Sequence, residues 1–309
     1  MENLTSKRKT DTMMTIANDV RLWSSDSFNA APKLPKTTFA NVANFLAQDY
    51  DQTLLDQLRE DFYVLNEFVE DERGLVAFKT FSLNSKEEST IYYTEEILAM
   101  ILKYGRELSE KNAGGATVRD AVITIPSYFT QEQRRMMLDS ADLAGLNVIS
   151  LTHENVAAAT MFAVDRLEEE PINVLFYNMG GVDTEVTIAR FSAITDSNGK
   201  IHESVEILAE TYDKTLGGQE FDKVIVDMLA EAFDEMPERA GKPSVRSNDR
   251  AMKRLFKESI KVKDILSANK VADVKVPELV DYVTLRTLLQ RSDFEERSSH
   301  LLDRVGKPV

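Results

Sequence analysis

The sequence contains no cysteine, which excludes disulfide bonds, thiol nucleophiles and cysteine-ligated metal ions. Its three histidines, His153, His202 and His300, are too scattered along the chain for the ligand spacing of a zinc site. No apolar run reaches the roughly 20 residues that a membrane-spanning helix needs. Residues 1–11 are polar and lack the apolar stretch of a signal peptide. We therefore expect no membrane span, and a cytoplasmic protein if the chain is complete as given.

Positive charge is also scarce, with 37 Lys and Arg residues against 52 Asp and Glu residues and a net charge of −15. Such a surface repels the phosphate backbone of nucleic acids, so we expect no nucleic-acid partner. The 43% of hydrophobic and 29% of charged residues are typical of a globular protein. A chain of 309 residues is long enough for one large or two ordinary domains.

Hydrophobic periodicity predicts interleaved strands and helices, and hence an α/β fold with mixed sheets. The first hundred residues are weakly patterned: residues 9–19 predict a strand, residues 37–48 a short helix and residues 62–81 a pair of strands. A helix with Thr94 as its cap is predicted over residues 94–112. Stronger signals follow. Strands are predicted over residues 120–125, 147–151, 172–177, 184–191, 205–212, 271–276 and 282–287, and helices over residues 131–144, 154–167, 216–233, 250–269 and 292–305.

One apolar strand in "NVLFYNMGGVDTEV" breaks at Gly180 and Gly181 and then resumes. Glycine can adopt a positive φ and permits close approach of another group to the backbone. A two-residue hairpin and a phosphate-cradling turn both use this property, so the pair alone does not distinguish them.

Two further features have an ordinary structural interpretation and a functional one. Gly217 and Gly218 precede a predicted helix, whose first N–H groups and dipole favour an anion, although a tight helix entry has the same pattern. Lys263 and Ser267 lie one turn apart on a predicted helix, which by itself is typical of a solvated face.

In this order, the segments "AVITIPSYFTQEQRRMMLDSADLAGLNVISLTHENVAAATMFAV", "NVLFYNMGGVDTEVTI", "TLGGQEFD" and "LSAN" resemble the nucleotide-binding domain of the seventy-kilodalton heat-shock chaperone superfamily. They are most similar to its large endoplasmic-reticulum branch, the hypoxia up-regulated proteins. The resemblance implies an actin-like ATPase fold, in which two ribonuclease-H-like lobes clasp ATP or ADP with Mg²⁺. It places a partial first lobe in residues 1–166 and a partial second lobe in residues 167–309, with the start of the first lobe and the end of the second missing.

The resemblance also assigns roles to individual residues. Catalytic positions fall on Glu154, Asn178 and Glu185, and nucleotide-binding positions on Gly180, Gly181, Asp183, Gly217, Gly218, Lys263 and Ser267. Pro126 and Arg134 match residues that relay the nucleotide state toward a peptide-binding domain. No residue is assigned as a direct metal ligand.

The sequence departs from the family pattern at three positions. Asn178 stands where an Asp is typical, and a neutral amide cannot act as a base. Asp183 replaces a threonine and places negative charge beside the phosphates. Ala43 stands at the expected position of a catalytic lysine, whose loss removes a large electrostatic contribution to catalysis. These substitutions leave open whether the chain is an enzyme.

The resemblance therefore predicts an ATP-binding chaperone domain that assists protein folding in the lumen of the endoplasmic reticulum under stress or hypoxia, with weak or absent hydrolysis. Its expected partners are another chaperone of the same superfamily and unfolded polypeptides. One alternative is a nucleotide-free scaffold or interaction module that retains the fold. A sugar or metabolite kinase of the actin-like class is a further alternative, which the chaperone-like run "PSYFTQEQRR" disfavours.

Overall fold

The computed structural model describes residues 9–18, 20–62, 64–81, 89–164, 170–195 and 197–309. The chain divides into two compact units. Unit 1 comprises Met1–Ala121, Thr130–Ile149 and Asp222–Phe294, and unit 2 comprises Val122–Phe129, Ser150–Phe221 and Glu295–Val309. The lobe boundary expected between residues 166 and 167 stays a prediction.

The strands are β1 (Met13–Ala17), β2 (Val20–Trp23), β3 (Thr38–Ala40), β4 (Glu67–Glu70), β5 (Val76–Phe81), β6 (Ser89–Tyr93), β7 (Asp120–Ile125), β8 (Asn147–His153), β9 (Ile172–Met179), β10 (Thr184–Thr195), β11 (Ile201–Asp213), β12 (Val271–Val280) and β13 (Val283–Gln290). The α-helices are α1 (Ser24–Ala30), α2 (Gln52–Phe62), α3 (Thr94–Asn112), α4 (Gln131–Leu143), α5 (Glu154–Ala163), α6 (Gly218–Asp234), α7 (Asp249–Ala268), α8 (Arg291–Arg297) and α9 (Ser299–Val305).

Aromatic side chains form one core of unit 1. Two small antiparallel sheets, ordered β2-β1-β3 and β4-β5-β6, lie in this part of the chain. The Phe78 ring on β5 is 1% exposed, and its centre lies 5.3 to 5.6 Å from those of Phe39, Phe45 and Phe68. Because offset and edge-to-face ring pairs are favourable at this spacing, the cluster holds together segments that are far apart in sequence.

A second core of unit 1 lies beside the β12–β13 hairpin, against which α7 packs. Apolar residues of α7 recur at helical spacing on one buried face, as an amphipathic helix requires. Phe233, Leu255 and Leu285 each have 0% exposure and come from three different elements.

The predicted helix 94–112 is confirmed as α3, but the prediction of Thr94 as its cap is wrong. Thr94 is the first helical residue, and its hydroxyl donates to the Val76 carbonyl at 2.9 Å. Tyr93 takes the cap position, where its N–H donates to the Glu96 carboxylate at 2.8 Å. Thr94 therefore lies one residue too far along the chain to cap the helix, and its buried hydroxyl instead joins α3 to β5.

Unit 2 is built on a three-stranded antiparallel sheet ordered β11-β10-β9. One face is covered by α5, where buried Ala159 and Ala163 pack with Ala189 and Phe191 of β10. Small side chains on α5 allow the helix to approach the sheet closely. α9 is tied to both outer strands: the Tyr177 hydroxyl of β9 donates to the Val305 carbonyl at 2.9 Å, and the Arg304 guanidinium donates to the Asp213 carboxylate of β11 at 2.6 Å.

Residues 37–48, which predict a short helix, are instead strand β3 followed by a 3-10 helix, Val42–Phe45. That expectation is wrong because Thr38 and Phe39 pair with β1 and because Asn41 has a left-handed φ of 55°, which a continuous right-handed helix does not permit. Similarly, the single helix expected over residues 292–305 is divided into α8 and α9 at Ser298.

The mixed α/β class predicted from periodicity is confirmed, whereas the actin-like arrangement of two lobes stays a prediction. Among the described residues, no helix has both the length and the apolar character needed to cross a bilayer.

Candidate functional site

The central feature of unit 2 is the glycine turn, residues 180–183. β9 ends at Met179 and β10 begins at Thr184, and these two residues are partners in the antiparallel ladder. The Gly180 N–H donates to the Asp183 carbonyl at 2.8 Å. The turn is therefore a four-residue hairpin connection rather than a two-residue one.

Gly181 leaves one side of the glycine turn open. A Cβ atom built on Gly181 would meet no heavy atom of the described residues within 4 Å. The N–H groups of Gly181 and Val182 make no hydrogen bond within the described part of the chain. Adjacent free backbone N–H groups are the arrangement with which concave turns bind anions. Both Gly180 and Gly181 lie outside the left-handed region, so of the two properties of glycine only the close approach to the backbone applies at this pair.

The second glycine pair is attached directly to the glycine turn. The Gly218 N–H donates to the Gly180 carbonyl at 3.0 Å, and the Gln219 N–H donates to the Gly181 carbonyl at 2.8 Å. A Cβ on Gly217 would lie 2.4 to 2.6 Å from backbone atoms of Val182, so this position requires glycine. The expectation of free N–H groups at the start of α6 is wrong for Gly218 and Gln219, because the turn carbonyls already use them.

Glu185 lies beside the glycine turn and is 2% exposed. It is the cross-strand neighbour of Asn178. One carboxylate oxygen, Oε1, accepts from the Ser127 N–H at 2.6 Å and from the Ser127 hydroxyl at 2.8 Å. The other oxygen, Oε2, is buried without a hydrogen-bond partner among the described residues. Burial raises the pKa of Glu185, and the negative charges of Asp183 and Glu210 raise it further. The two hydrogen bonds from Ser127 lower the pKa but do not cancel the rise.

Glu154 is the first residue of α5, and its carboxylate accepts from the Asn178 amide at 3.3 Å. Burial raises its pKa, and the Asp183 and Glu185 carboxylates raise it further. The structure thus brings together all three predicted catalytic positions, since Asn178 lies beside both Glu154 and Glu185.

Asp183 closes the glycine turn and accepts from the Tyr128 hydroxyl at 2.6 Å. Burial and this hydrogen bond to a carboxylate both raise the pKa of Tyr128, so the phenol stays protonated as a donor. The Lys214 ammonium lies over the same tyrosine, 4.9 Å from the ring centre.

Several polar residues around this site were not predicted from the sequence. Two of them, Ser127 and Tyr128, directly follow Pro126. Lys214 lies just before the second glycine pair. The fourth is His153, whose Nδ1 lies 3.0 Å from the Glu210 carboxylate. Ser127 and Tyr128 lie within the motif that carries the resemblance, so the motif could have indicated that they belong to the site. No local pattern pointed to the contact of Lys214 with Tyr128 or to that of Glu210 with His153, because these partners are distant in sequence.

The remaining predicted nucleotide-binding residues, Lys263 and Ser267, lie on α7 in unit 1. The Lys263 ammonium pairs with Asp222 at 2.8 Å, and the Ser267 hydroxyl donates to the Asp264 carbonyl at 2.6 Å. Burial raises the pKa of Asp222 despite the lysine. An adenosine-binding role for Lys263 and Ser267 stays a prediction.

Of the two predicted relay residues, Pro126 directly follows β7 and Arg134 lies on α4. The Pro126 carbonyl accepts from the Phe129 N–H at 3.2 Å, and Arg134 is a half-buried residue of α4. Ala43, at the position expected for a catalytic lysine, lies in the 3-10 helix Val42–Phe45. The relay role stays a prediction. Within the described ranges, no three His, Cys, Asp or Glu side chains are grouped closely enough to bind a metal ion.

Because the pKa of Glu154 is raised in the folded chain, we expect the free energy of unfolding to depend on the protonation of this carboxyl group. A carboxyl group that binds its proton more tightly in the folded than in the unfolded state stabilises the fold as the pH falls toward its unfolded pKa, and this contribution is lost as the pH rises through the folded pKa. We expect Glu154→Gln to remove a charge repelled by Asp183 and Glu185. Its free energy of unfolding at pH 7 should rise by about 1 kcal/mol and depend less on pH between 5 and 7.

Urea denaturation at several pH values measures this effect, with Glu203→Gln on the exposed part of β11 as the matched control. A Glu154→Gln variant that is less stable at pH 7, with an unchanged pH slope, would contradict the proposed repulsion.

The family model described as "Hsp70 protein" matches residues 1–309, and the chain belongs to the Hsp70 family. Relatives include hypoxia up-regulated protein 1 of Xenopus laevis, 33% identical over 99% of this chain and 47% of the relative. The corresponding proteins of Danio rerio and Homo sapiens are 33% and 31% identical over 99% of this chain, which covers 31% and 30% of their lengths. The chain therefore spans less than half the length of these relatives.

Proposed function

We propose that this Hsp70-family chain binds ATP or ADP with Mg²⁺ and hydrolyses ATP weakly or not at all. The observation that carries the proposal is the open glycine turn, where the N–H groups of Gly181 and Val182 make no hydrogen bond to any described residue and Gly181 presents no side chain. Backbone N–H groups bind phosphate without requiring a positive side chain. Phosphate binding at this turn is therefore compatible with the acidic residues around it.

Mg²⁺ would be held near Glu154 and Glu185, since the buried Oε2 of Glu185 has no other partner in the described chain. Carboxylate oxygen is the ligand type that Mg²⁺ prefers. The bound ion would neutralise charge on the phosphates. It would also offset the mutual repulsion that raises the pKa of Glu154.

Weak hydrolysis is proposed from the substituted side chains. Asn178 is a neutral amide engaged by Glu154, and Asp183 adds negative charge at the turn. Ala43 supplies no ammonium at its position. Each substitution reduces electrostatic stabilisation of the charge that develops on the transferred phosphoryl group.

The biological setting is proposed from the relatives, whose name describes proteins up-regulated in hypoxia. We propose that the chain belongs to a chaperone of the endoplasmic-reticulum lumen that assists protein folding under stress. Its proposed partners are another chaperone of the same superfamily and unfolded polypeptides.

A nucleotide-free scaffold is the second candidate. The hydrogen bonds from Gly218 and Gln219 to the turn carbonyls favour it, because they remove two N–H donors from any ligand. The negative charge of Asp183, held at the turn by Tyr128, favours it as well.

Titration of the 309-residue chain with Mg-ATP and Mg-ADP distinguishes the two candidates. We expect weak binding, detected as a rise in melting temperature at millimolar nucleotide. A tenfold excess over the dissociation constant stabilises the fold by about 1.4 kcal/mol. AMP and sodium tripolyphosphate at equal ionic strength control for nonspecific anion effects. Roughly 5 to 10 mM nucleotide is the upper end of a useful titration. If the melting temperature is unchanged and no heat of binding is detected at that concentration, the scaffold is favoured.

A further inference from the structure

Lys214 lies in the short segment that joins β11 to the second glycine pair, and its side chain is exposed. Its ammonium is 4.9 Å from the centre of the Tyr128 ring and 5.6 Å from that of Tyr212. The two rings are themselves 5.0 Å apart. Contact with the ring faces holds the ammonium in one place while leaving its three N–H donors unused by any carboxylate of the described chain.

The segment carrying Lys214 is held on both sides. Before it, Asp213 accepts from the Arg304 guanidinium at 2.6 Å. After it, the Leu216 carbonyl accepts from the Thr184 hydroxyl at 2.6 Å. Thr184 is the first residue of β10, directly after the glycine turn. The segment is thus fixed to α9 before Lys214 and to the start of β10, at the end of the glycine turn, after it.

Tyr128 connects Lys214 to the charged end of the turn. The tyrosine contacts the ammonium through its ring and donates its hydroxyl to Asp183. Through this one ring the ammonium is connected to a turn that has a carboxylate and two N–H groups without a hydrogen bond among the described residues. A lysine that moved from the ring to a bound phosphate would bring a positive charge to offset that of Asp183.

We propose that Lys214 binds the phosphate chain of the nucleotide at the glycine turn, an inference that rests on the proposed function. A contact between an exposed lysine and a tyrosine ring is weaker than a charge-assisted hydrogen bond to phosphate. The ammonium is therefore able to exchange the rings for the ligand. Lys214 thereby supplies positive charge to a site in which Asn178 and Asp183 provide none.

The test compares Lys214→Met, which keeps the length of the side chain, with Lys214→Arg, which keeps its charge. Dissociation constants for Mg-ATP are measured by calorimetry at low and high salt. We expect Lys214→Met to bind about tenfold more weakly and with a flatter salt dependence. Lys214→Arg should stay within about threefold of the unmodified chain, because a guanidinium keeps the positive charge and also binds phosphate. Lys275→Met, on an exposed position of β12, is the matched control.

The outcomes separate this inference from the proposed function. If the unmodified chain does not bind Mg-ATP, the proposed function fails and this inference fails with it. If the unmodified chain binds and Lys214→Met binds equally well, the inference alone is overturned. Equal loss in the Met and Arg variants, together with a lower melting temperature without nucleotide, would show a structural role and overturn it too.

Discussion

Gly217→Ala is expected to lower the free energy of unfolding by about 3 kcal/mol. The added Cβ would lie 2.4 Å from the Val182 carbonyl carbon and 2.5 Å from its backbone nitrogen. Neither atom belongs to a flexible side chain, so relief requires moving the glycine turn or the start of α6. Either shift strains the hydrogen bond from Gly218 to Gly180.

Urea denaturation followed by circular dichroism measures this loss. Gly181→Ala is the matched control, because its Cβ would meet no atom within 4 Å, and we expect its stability to stay within about 0.5 kcal/mol of the unmodified chain. Equal stability of Gly217→Ala and the unmodified chain would show that the turn and the helix are not packed as the structure has them.

Gly181→Val is expected to abolish nucleotide binding while leaving the fold intact. The valine side chain has room in the protein itself, since nothing lies within 4 Å of its Cβ position. It would instead fill the open side of the glycine turn and exclude a phosphate from the free N–H groups of Gly181 and Val182. We expect the affinity for Mg-ATP to fall at least a hundredfold, which corresponds to about 2.7 kcal/mol.

Calorimetry with Mg-ATP and the melting temperature without nucleotide are both needed for this variant. Gly306→Val is the matched control, because Gly306 also has open space at its Cβ position and lies far along the chain, after α9. Unchanged affinity in Gly181→Val would show that the turn only connects β9 and β10. A lower melting temperature would show that the turn packs more tightly than its open side indicates.

Much of the secondary structure was predictable because it depends on local pattern. α4 begins at a Thr130 cap whose hydroxyl accepts from the Gln133 N–H at 3.2 Å, and this capping box can be read directly from "TQEQ". The strands β9 and β10 coincide with the apolar runs on either side of two glycines. In contrast, residues 37–48 were predicted wrongly, since β3 exists through its pairing with β1. The pairing partner of β3 lies well before it in the sequence, so the local pattern of residues 37–48 does not show that pairing.

The candidate site was predictable through its motif rather than through its contacts. Glu154, Asn178 and Glu185 were assigned by the resemblance, and the structure brings them together. The sequence did not reveal that Ser127 donates twice to Glu185 or that Tyr128 donates to Asp183. These contacts join residues separated by more than 50 positions, and their formation depends on how β7, β9 and β10 are arranged.

The amino-acid order alone establishes the α/β class, the family and the two glycine pairs, because each depends on residue type and short-range spacing. The folded chain establishes which glycine is indispensable to packing and which is open to a ligand. A Cβ atom on Gly217 would overlap the Val182 backbone, whereas one on Gly181 would have no described atom within 4 Å. Likewise, the N–H groups at the start of α6 looked available in the sequence but are used by the turn carbonyls. The reason is physical: a backbone group's availability depends on what packs against it, and that neighbour comes from a distant part of the chain.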